Sequence, residues 1–228
     1  MSAELSRSLA AQANAPFYQF TRLLALGVKG IFTRARVEGV EHMPREGGVL
    51  VVSNHLSNAD PIVLMAVSPR PLTFMAKEEL WQHAFSRLVV TLWKAAFPVR
   101  RGQTDIRAVR NALELLHAGL PVVLFAEGTR RPTGLGRPHP GIGYLASRAH
   151  TPVLPVAISG TEQMGNIWSV TRFPAFTVRF GPTFTVEAGG SSASEIADEI
   201  MRHIAVLLPP ERRGAYAESE EQVHVGIG

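Results

Sequence analysis

The stretch Val49-Leu50-Val51-Val52-Ser53-Asn54-His55-Leu56-Ser57-Asn58-Ala59-Asp60-Pro61-Ile62 joins a strand-like run to a polar turn. Its first four residues are apolar and mostly β-branched, which predicts a strand buried on both faces. Asp60-Pro61 then predicts a helix start, with proline near the first helical position. His55 and Asp60 therefore fall on the turn at the strand's carboxyl end, where open α/β sheets bind ligands. An imidazole held by a carboxylate can take a proton from a hydroxyl, although a structural role for the pair stays open.

The composition fits one globular domain with a large core, since 46% of the 228 residues are hydrophobic and 18% are charged. Cysteine is absent, which excludes disulfides, iron–sulfur clusters, thiolate zinc sites and a cysteine nucleophile. The net charge of +4 and the isoelectric point near 9.9 favour anionic partners such as phosphates or acidic lipid surfaces, without singling out nucleic acid. We find neither a secretory signal nor a run of about 18 apolar residues. We therefore expect a cytoplasmic protein or one that lies on a membrane face.

Strand-like and helix-like segments alternate along the chain, which predicts an α/β layered fold with a mostly parallel or mixed central sheet flanked by helices. Strands are predicted at residues 49–52, 72–76, 96–99, 121–125 and 153–158. Helices are predicted at residues 62–67, 78–93, 106–116 and 141–149, and a capping box at Ser192 and Glu195 predicts one more. Residues 37–48 and 165–174 are interpreted as connections, and residues 176–180 with 183–186 as a closing strand pair around Gly181-Pro182. The main domain would span residues 41–209, followed by a loose polar tail at 210–228.

The N-terminal segment, residues 1–40, contains a predicted amphipathic helix at 17–33. Its apolar residues recur at spacings of three and four, at Phe17, Phe20, Leu24, Val28 and Ile31. Such a face beside cations is typical of a helix lying in the headgroup region of a membrane. The same face could pack on the domain instead, and the two interpretations can both hold for different parts of the helix.

Polar clusters follow three of the predicted strands directly: His55 with Asp60, Arg100 with Arg101, and Glu127 with Arg130. Carboxyl ends of parallel strands meet at one edge of a sheet, so these clusters predict a site at that edge. Two or more arginines converging there indicate an anionic group, most simply a phosphate. Gly128 would let backbone amides approach that group.

At this point four blocks of the sequence resemble the 1-acylglycerol-3-phosphate acyltransferases and related glycerophospholipid acyltransferases. Asn54-His55 with Asp60 is similar to the family's Asn-His-x-x-x-x-Asp block. The other three resembling blocks are Phe97-Pro98-Val99-Arg100-Arg101, Phe125-Ala126-Glu127-Gly128-Thr129-Arg130 and Val153-Leu154-Pro155-Val156. Their order and spacing both agree with the family, and together they cover residues 49–158.

The resemblance implies transfer of a fatty acyl group from a thioester to the free hydroxyl of a lysophospholipid, most simply 1-acylglycerol-3-phosphate to give phosphatidic acid. His55 would be the general base and Asp60 its partner, together the catalytic pair. Arg101 and Arg130 would hold the acceptor's phosphate. Glu127, Gly128 and Thr129 would complete the phosphate site, where Glu127 would orient the acceptor or the arginines. The family needs no metal and no cofactor beyond the co-substrate, acyl-CoA or acyl-ACP. Partners would be these substrates, the cytoplasmic face of the cell membrane and an acyl carrier protein, with no nucleic acid.

Several positions depart from the family pattern. Ala126 stands where proline is usual, Arg131 where a small polar residue is usual, and Pro140 where the family often has lysine, a phosphate role that Arg137 could assume. These changes put the identity of the acceptor in question, not the type of reaction. The tetrahedral oxyanion also needs a donor, and the amides near Gly128 or near Val156 remain alternatives.

Other functions have weaker support. No Gly-x-Ser-x-Gly nucleophile elbow, His-Glu-x-x-His zinc pattern, P-loop or dinucleotide fingerprint occurs in the sequence. The remaining alternatives are an acyltransferase for another lysolipid and a non-catalytic phospholipid-binding protein. The latter would keep the arginines and the amphipathic helix but would not need His55 beside Asp60.

Overall fold

The protein is described by a computed structural model over residues 16–78, 96–99, 105–164, 174–186 and 191–218. Within these ranges, seven strands form one sheet in the order β1-β7-β6-β2-β5-β3-β4. The strands are β1 (Arg34–Glu38), β2 (Val49–Ser53), β3 (Thr73–Lys77), β4 (Ala96–Val99), β5 (Pro121–Phe125), β6 (Val153–Ser159) and β7 (Ala175–Phe180). β2 to β6 are mutually parallel, whereas β7 pairs antiparallel with β6 and parallel with β1. The predicted α/β fold with a mixed sheet is confirmed.

Helices cover both faces of the sheet. They are α1 (Pro16–Phe32), α2 (Asp60–Val67), α3 (Ile106–His117), α4 (Gly141–Ala149) and α5 (Ala193–Leu207). α3, α4 and α5 pack on one face around residues such as Leu115 and Ile200, and α1 with α2 pack on the other around Tyr18 and Leu64. β2 lies between β5 and β6 and is buried along its whole length, as its apolar run predicts. The turn after β2 therefore lies near the middle of the sheet edge.

Local sequence signals explain where several helices begin. Pro61 follows the first residue of α2, and the side chain of Asp105 accepts hydrogen bonds from two amides in the first turn of α3. Ser192 and Glu195 form the predicted capping box of α5. These three starts match the sequence prediction.

Two predicted features are wrong. The predicted connection at 37–48 does not begin at residue 37, because residues 37 and 38 belong to the edge strand β1, which runs in register with β7 from Arg34 opposite Ala175 and was not predicted. Residues 183–186 are not a strand that pairs with 176–180. β7 is paired on both sides by β1 and β6, and Phe184 makes only an isolated bridge to Val153. The predicted helix at 78–93 and the predicted loop at 165–174 lie almost wholly outside the described residues.

The start of the C-terminal tail is ordered, in contrast to the prediction of a loose tail. Two 3-10 turns, Pro210–Arg212 and Gly214–Tyr216, run along the loop that follows β5. Leu135 N donates to Arg212 O at 3.1 Å, and Ala215 N donates to Leu135 O at 3.1 Å. Arg213 is buried. We call residues 210–216 the C-terminal strap. None of the helices in the described ranges has the length and apolar character needed to cross a membrane.

Candidate active site

The carboxyl ends of β2, β5 and β6 bring the candidate site together. His55 lies two residues after β2, and Asp60 is the first residue of α2. His55 Nδ1 lies 2.7 Å from Asp60 Oδ2. The residue His55 is 7% exposed and Asp60 is fully buried. The two residues singled out by the sequence are thus in direct contact.

Asp60 is held by donors on both carboxylate oxygens. The amides of Leu56 and Ser57 donate to Oδ2 at 2.6 and 2.8 Å. The hydroxyl of Thr161 donates to Oδ1 at 2.5 Å, and the Ser57 hydroxyl is 3.5 Å from the same oxygen. An ionised carboxylate is an acceptor only, so the proton of the His55 contact lies on Nδ1. The lone pair of a neutral His55 is then on Nε2, the atom through which an imidazole in this tautomer would act as a general base.

The plane of the His55 ring is fixed by stacking. Phe125, the last residue of β5, lies with its ring centroid 4.0 Å from that of His55 at an interplanar angle of 19°. Within the described ranges Nε2 of His55 makes no hydrogen bond to the protein. The imidazole is therefore oriented by Asp60 and Phe125 while its reactive nitrogen is available.

Asn54 joins the turn to the neighbouring strand. Its side-chain nitrogen donates to Ile158 O at 2.8 Å, and Ile158 N donates to its side-chain oxygen at 2.8 Å. This reciprocal pair extends the contact between β2 and β6 beyond the last ladder residue, Ser53. The end of β2 is thus fixed relative to the turn that carries Thr161.

Glu127 is buried and both of its oxygens are engaged by backbone amides. His55 N donates to Oε2 at 3.3 Å, and Gly136 N donates to Oε1 at 2.7 Å. Burial raises the pKa of Glu127 above its ordinary value, against the opposing effect of these amides and of Arg131 and His55. The carboxylate therefore connects the His55 turn to the loop after β5. Its predicted place among the phosphate ligands stays a prediction, and a negative group there would repel a phosphate.

The loop after Glu127 presents its polar side chains to solvent. Gly128 has a positive φ of 65°, which favours glycine, and its amide donates to Phe125 O at 3.1 Å, so that amide is engaged. Thr129 and Arg130 are exposed. The Arg130 guanidinium donates to Asn58 Oδ1 at 2.9 Å, three residues from His55. Arg130 is therefore in contact with the turn that carries His55.

The other predicted cations are Arg101 and Arg137, and only Arg137 lies within the described residues. Arg101 lies outside the described residues, as does Arg100. Arg137 lines a different hollow, with Asp198, Arg202 and Tyr216. The structure thus brings together His55, Asp60, Glu127 and the loop of Gly128, Thr129 and Arg130. The binding of a phosphate by Arg101 and Arg130 stays a prediction. No cluster of metal-ligating side chains occurs in the part of the chain that is described.

Sequence reasoning missed two side chains that shape the site, Phe125 and Thr161. Phe125 is the first residue of the block that contains Glu127 and Arg130, but an aromatic residue at a strand end does not by itself indicate stacking on a histidine. Thr161 is 101 residues from Asp60 in the chain. The one signal for Thr161 is its position just after β6, because the carboxyl end of this strand lies at the same sheet edge as that of β2.

Comparisons with known proteins place the chain in a family. Residues 34–159 match the protein family described as Acyltransferase. A probable 1-acyl-sn-glycerol-3-phosphate acyltransferase from Mycoplasma genitalium is 37% identical over 149 residues, which cover 61% of this chain and 53% of that protein. The human 1-acyl-sn-glycerol-3-phosphate acyltransferase alpha is 32% identical over 145 residues, or 62% of this chain and 51% of that protein. The chain thus spans about half the length of these curated relatives.

A solved structure supports the fold. The crystal structure of the 1-acyl-sn-glycerophosphate acyltransferase from Thermotoga maritima superposes with a TM-score of 0.65 at 22% identity, covering 83% of this chain and 79% of that one. At this identity the likeness concerns the arrangement of strands and helices.

Proposed function

The chain belongs to the Acyltransferase family, and on that premise we propose that it transfers a fatty acyl group from an acyl thioester to the free hydroxyl of a lysophospholipid. The acceptor we favour is 1-acylglycerol-3-phosphate, which would give phosphatidic acid. His55 Nε2 takes the hydroxyl proton as the oxygen attacks the thioester carbonyl. The tetrahedral intermediate then expels the thiolate, which takes up the proton from the imidazolium. No residue of the protein is acylated in this mechanism.

One observation carries the proposal: the buried carboxylate of Asp60 accepts a hydrogen bond from His55 Nδ1 at 2.7 Å and further hydrogen bonds from two backbone amides. Such an arrangement fixes the tautomer and stabilises an imidazolium, and a protein that only bound phospholipid would have no need of it. General-base catalysis of this kind contributes about 10²–10⁴-fold.

Arg130 supports a phosphate-bearing acceptor. It is exposed, and its contact with Asn58 places it over the turn that carries His55. A guanidinium there can bind a phosphate while the acceptor hydroxyl reaches the imidazole. We propose Arg101, two residues after β4 in the sequence, as its partner. The donor, acyl-CoA or acyl-ACP, would approach the same edge of the sheet.

The exposed face of α1 supports a membrane surface as the source of the acceptor. One side of α1 packs on the domain through Tyr18, which is buried, and through Arg22, which donates to Ser68 O at 2.9 Å. On α1 three large apolar side chains are exposed to solvent: Phe20, Leu23 and Leu24. On α2 the side chain of Ile62 is exposed as well. An apolar patch of this kind fits an interfacial helix. We propose that the protein binds the cytoplasmic face of the membrane through this surface.

The proposed function is tested with purified protein, a labelled acyl thioester and a panel of lysolipids that differ in headgroup. We expect transfer to 1-acylglycerol-3-phosphate and little to uncharged lysolipids. Running acyl-CoA and acyl-ACP in parallel identifies the donor. Transfer to a different lysolipid would show that this lipid, and not 1-acylglycerol-3-phosphate, is the acceptor. Binding of lysolipid without any transfer would establish the non-catalytic alternative.

A further inference from the structure

A hydroxyl on a separate strand end contacts the carboxylate of the His55–Asp60 pair. Thr161 is fully buried, and its hydroxyl donates to Asp60 Oδ1 at 2.5 Å. The only other donor near Oδ1 in the described residues is the Ser57 hydroxyl, at a longer 3.5 Å. Oδ2, by contrast, is occupied by His55 and two amides. Thr161 is therefore the principal group that fixes the second oxygen of the carboxylate.

The turn that carries Thr161 is held on both sides. It starts at Gly160, which has a φ of 91° and where a Cβ would approach Ala175 O to 2.2 Å, so that the chain passes close to β7. The next residue, Glu162, accepts a hydrogen bond from Arg212 of the C-terminal strap at 2.5 Å. Arg212 also donates to Pro132 O, in the loop that follows Arg130, at 2.7 Å. The strap thus joins the turn of Thr161 to the loop that follows β5.

We propose that Thr161 is a positioning residue for the transfer reaction, which keeps Asp60 turned so that Oδ2 stays on His55 Nδ1. This proposal rests on the proposed function of His55 as general base. Thr161 and Arg212 both lie beyond residues 34–159, the part that matches the family. The hydroxyl makes no contact with the reacting atoms, and it acts through Asp60. A carboxylate with one oxygen unanchored rotates more freely, and the imidazole then loses orientation.

In the described part of the chain, the loop after β5 brings three charged residues to the pair. Glu127 receives the amide of His55, Arg131 donates its own amide to His55 O at 2.7 Å, and Arg130 contacts Asn58. Substitution of Thr161 removes no charge. Its effect on the pair therefore reports orientation rather than a change in the local field.

The test compares Thr161→Val with Thr161→Ser. Valine keeps the shape without the hydroxyl, and we expect kcat to fall by about 10–100-fold with the acceptor KM changed less than about twofold. Serine keeps the hydroxyl, and we expect kcat within about threefold of the wild type. Thr151→Val is the matched control, because the buried hydroxyl of Thr151 has no hydrogen-bond partner in the described residues, and we expect it to leave kcat unchanged.

A second readout does not depend on activity. Proton NMR detects the Nδ1–H of a histidine bonded to a carboxylate, and His55→Ala identifies the resonance. We expect it to be sharp in the wild type and in Thr161→Ser, and broadened by exchange with water in Thr161→Val. A sharp resonance and wild-type kcat in Thr161→Val would overturn the proposal. If the wild type shows no acyl transfer, the proposed function fails while the NMR comparison still decides the role of Thr161.

Should Thr161→Val fail to fold, Thr161→Ala and Thr161→Ser carry the same comparison. The alanine variant must then lose the sharp resonance and the serine variant must keep it. Equal behaviour of the two would show that the hydroxyl is not responsible, and would also overturn the proposal.

Discussion

Replacing Asp60 by asparagine should remove the charge from the catalytic pair while leaving its geometry in place. The asparagine oxygen can take the position of Oδ2 and accept from His55 Nδ1 and the amides of Leu56 and Ser57. Its NH₂ group then faces Thr161, whose hydroxyl can turn to accept. We therefore expect Asp60→Asn to fold, with a melting temperature close to that of the wild type.

The magnitude follows from the loss of attraction between imidazolium and carboxylate. Two unit charges about 4 Å apart attract by about 4 kcal/mol at an effective dielectric constant near 20. This attraction exists only when His55 has accepted the proton, so its loss falls on the transition state. A loss of about 4 kcal/mol corresponds to a decrease of about 10³-fold in kcat.

The assay is a double-mutant cycle measured as acyl transfer to 1-acylglycerol-3-phosphate, with Asp60→Asn, His55→Ala and the double variant. Because the two residues act as a unit, the double variant should be about as slow as His55→Ala alone. Glu41→Gln, an exposed carboxylate away from the site, is the control and should keep wild-type kcat. A kcat for Asp60→Asn within about fivefold of the wild type, or losses that multiply in the double variant, would refute the reasoning.

Three further predictions concern the acceptor, the membrane and pH. Arg130→Ala should raise the acceptor KM by about 10–100-fold with little change in kcat, and an unchanged KM would remove Arg130 from the phosphate site. Leu23→Ser should weaken liposome partitioning by roughly tenfold, whereas Ile106→Ser, equally exposed on α3, should not; equal behaviour of the two would contradict the membrane surface. Because burial raises the pKa of Glu127, the fold favours its protonated form, and this contribution is lost as pH rises through the folded pKa. The free energy of unfolding of the wild type relative to Glu127→Gln, from denaturant titrations between pH 4 and 7, should therefore fall as pH rises; a flat or rising difference would contradict it.

The central strands and the contact between His55 and Asp60 were predictable because their signals are local. Val49 to Val52 form a buried apolar run, and a separation of five residues between His55 and Asp60 is enough to close the turn. The strand β1 was missed because Arg34, Arg36 and Glu38 make it look like a polar connection. As an edge strand it is only partly buried, so it lacks the apolar run that predicts the inner strands.

Other features depend on contacts between distant parts of the chain. β7 pairs with β1, 141 residues earlier at Arg179 and Glu38, and nothing in the local pattern of either strand selects that partner. The C-terminal strap was predicted to be loose because Glu211 and Arg212 are polar. Their order comes instead from hydrogen bonds to Leu135 and an ion pair with Glu162, which no periodicity reports.

The central claim is that His55 is a base for acyl transfer and not a ligand for the lipid. The most direct measurement compares His55→Ala with the wild type in two assays on the same preparation, turnover of a labelled acyl thioester and equilibrium binding of 1-acylglycerol-3-phosphate. We predict that turnover falls by at least about 10²-fold while the dissociation constant stays within about threefold. Undiminished turnover in His55→Ala, or loss of lysolipid binding equal to the loss of turnover, would contradict the account.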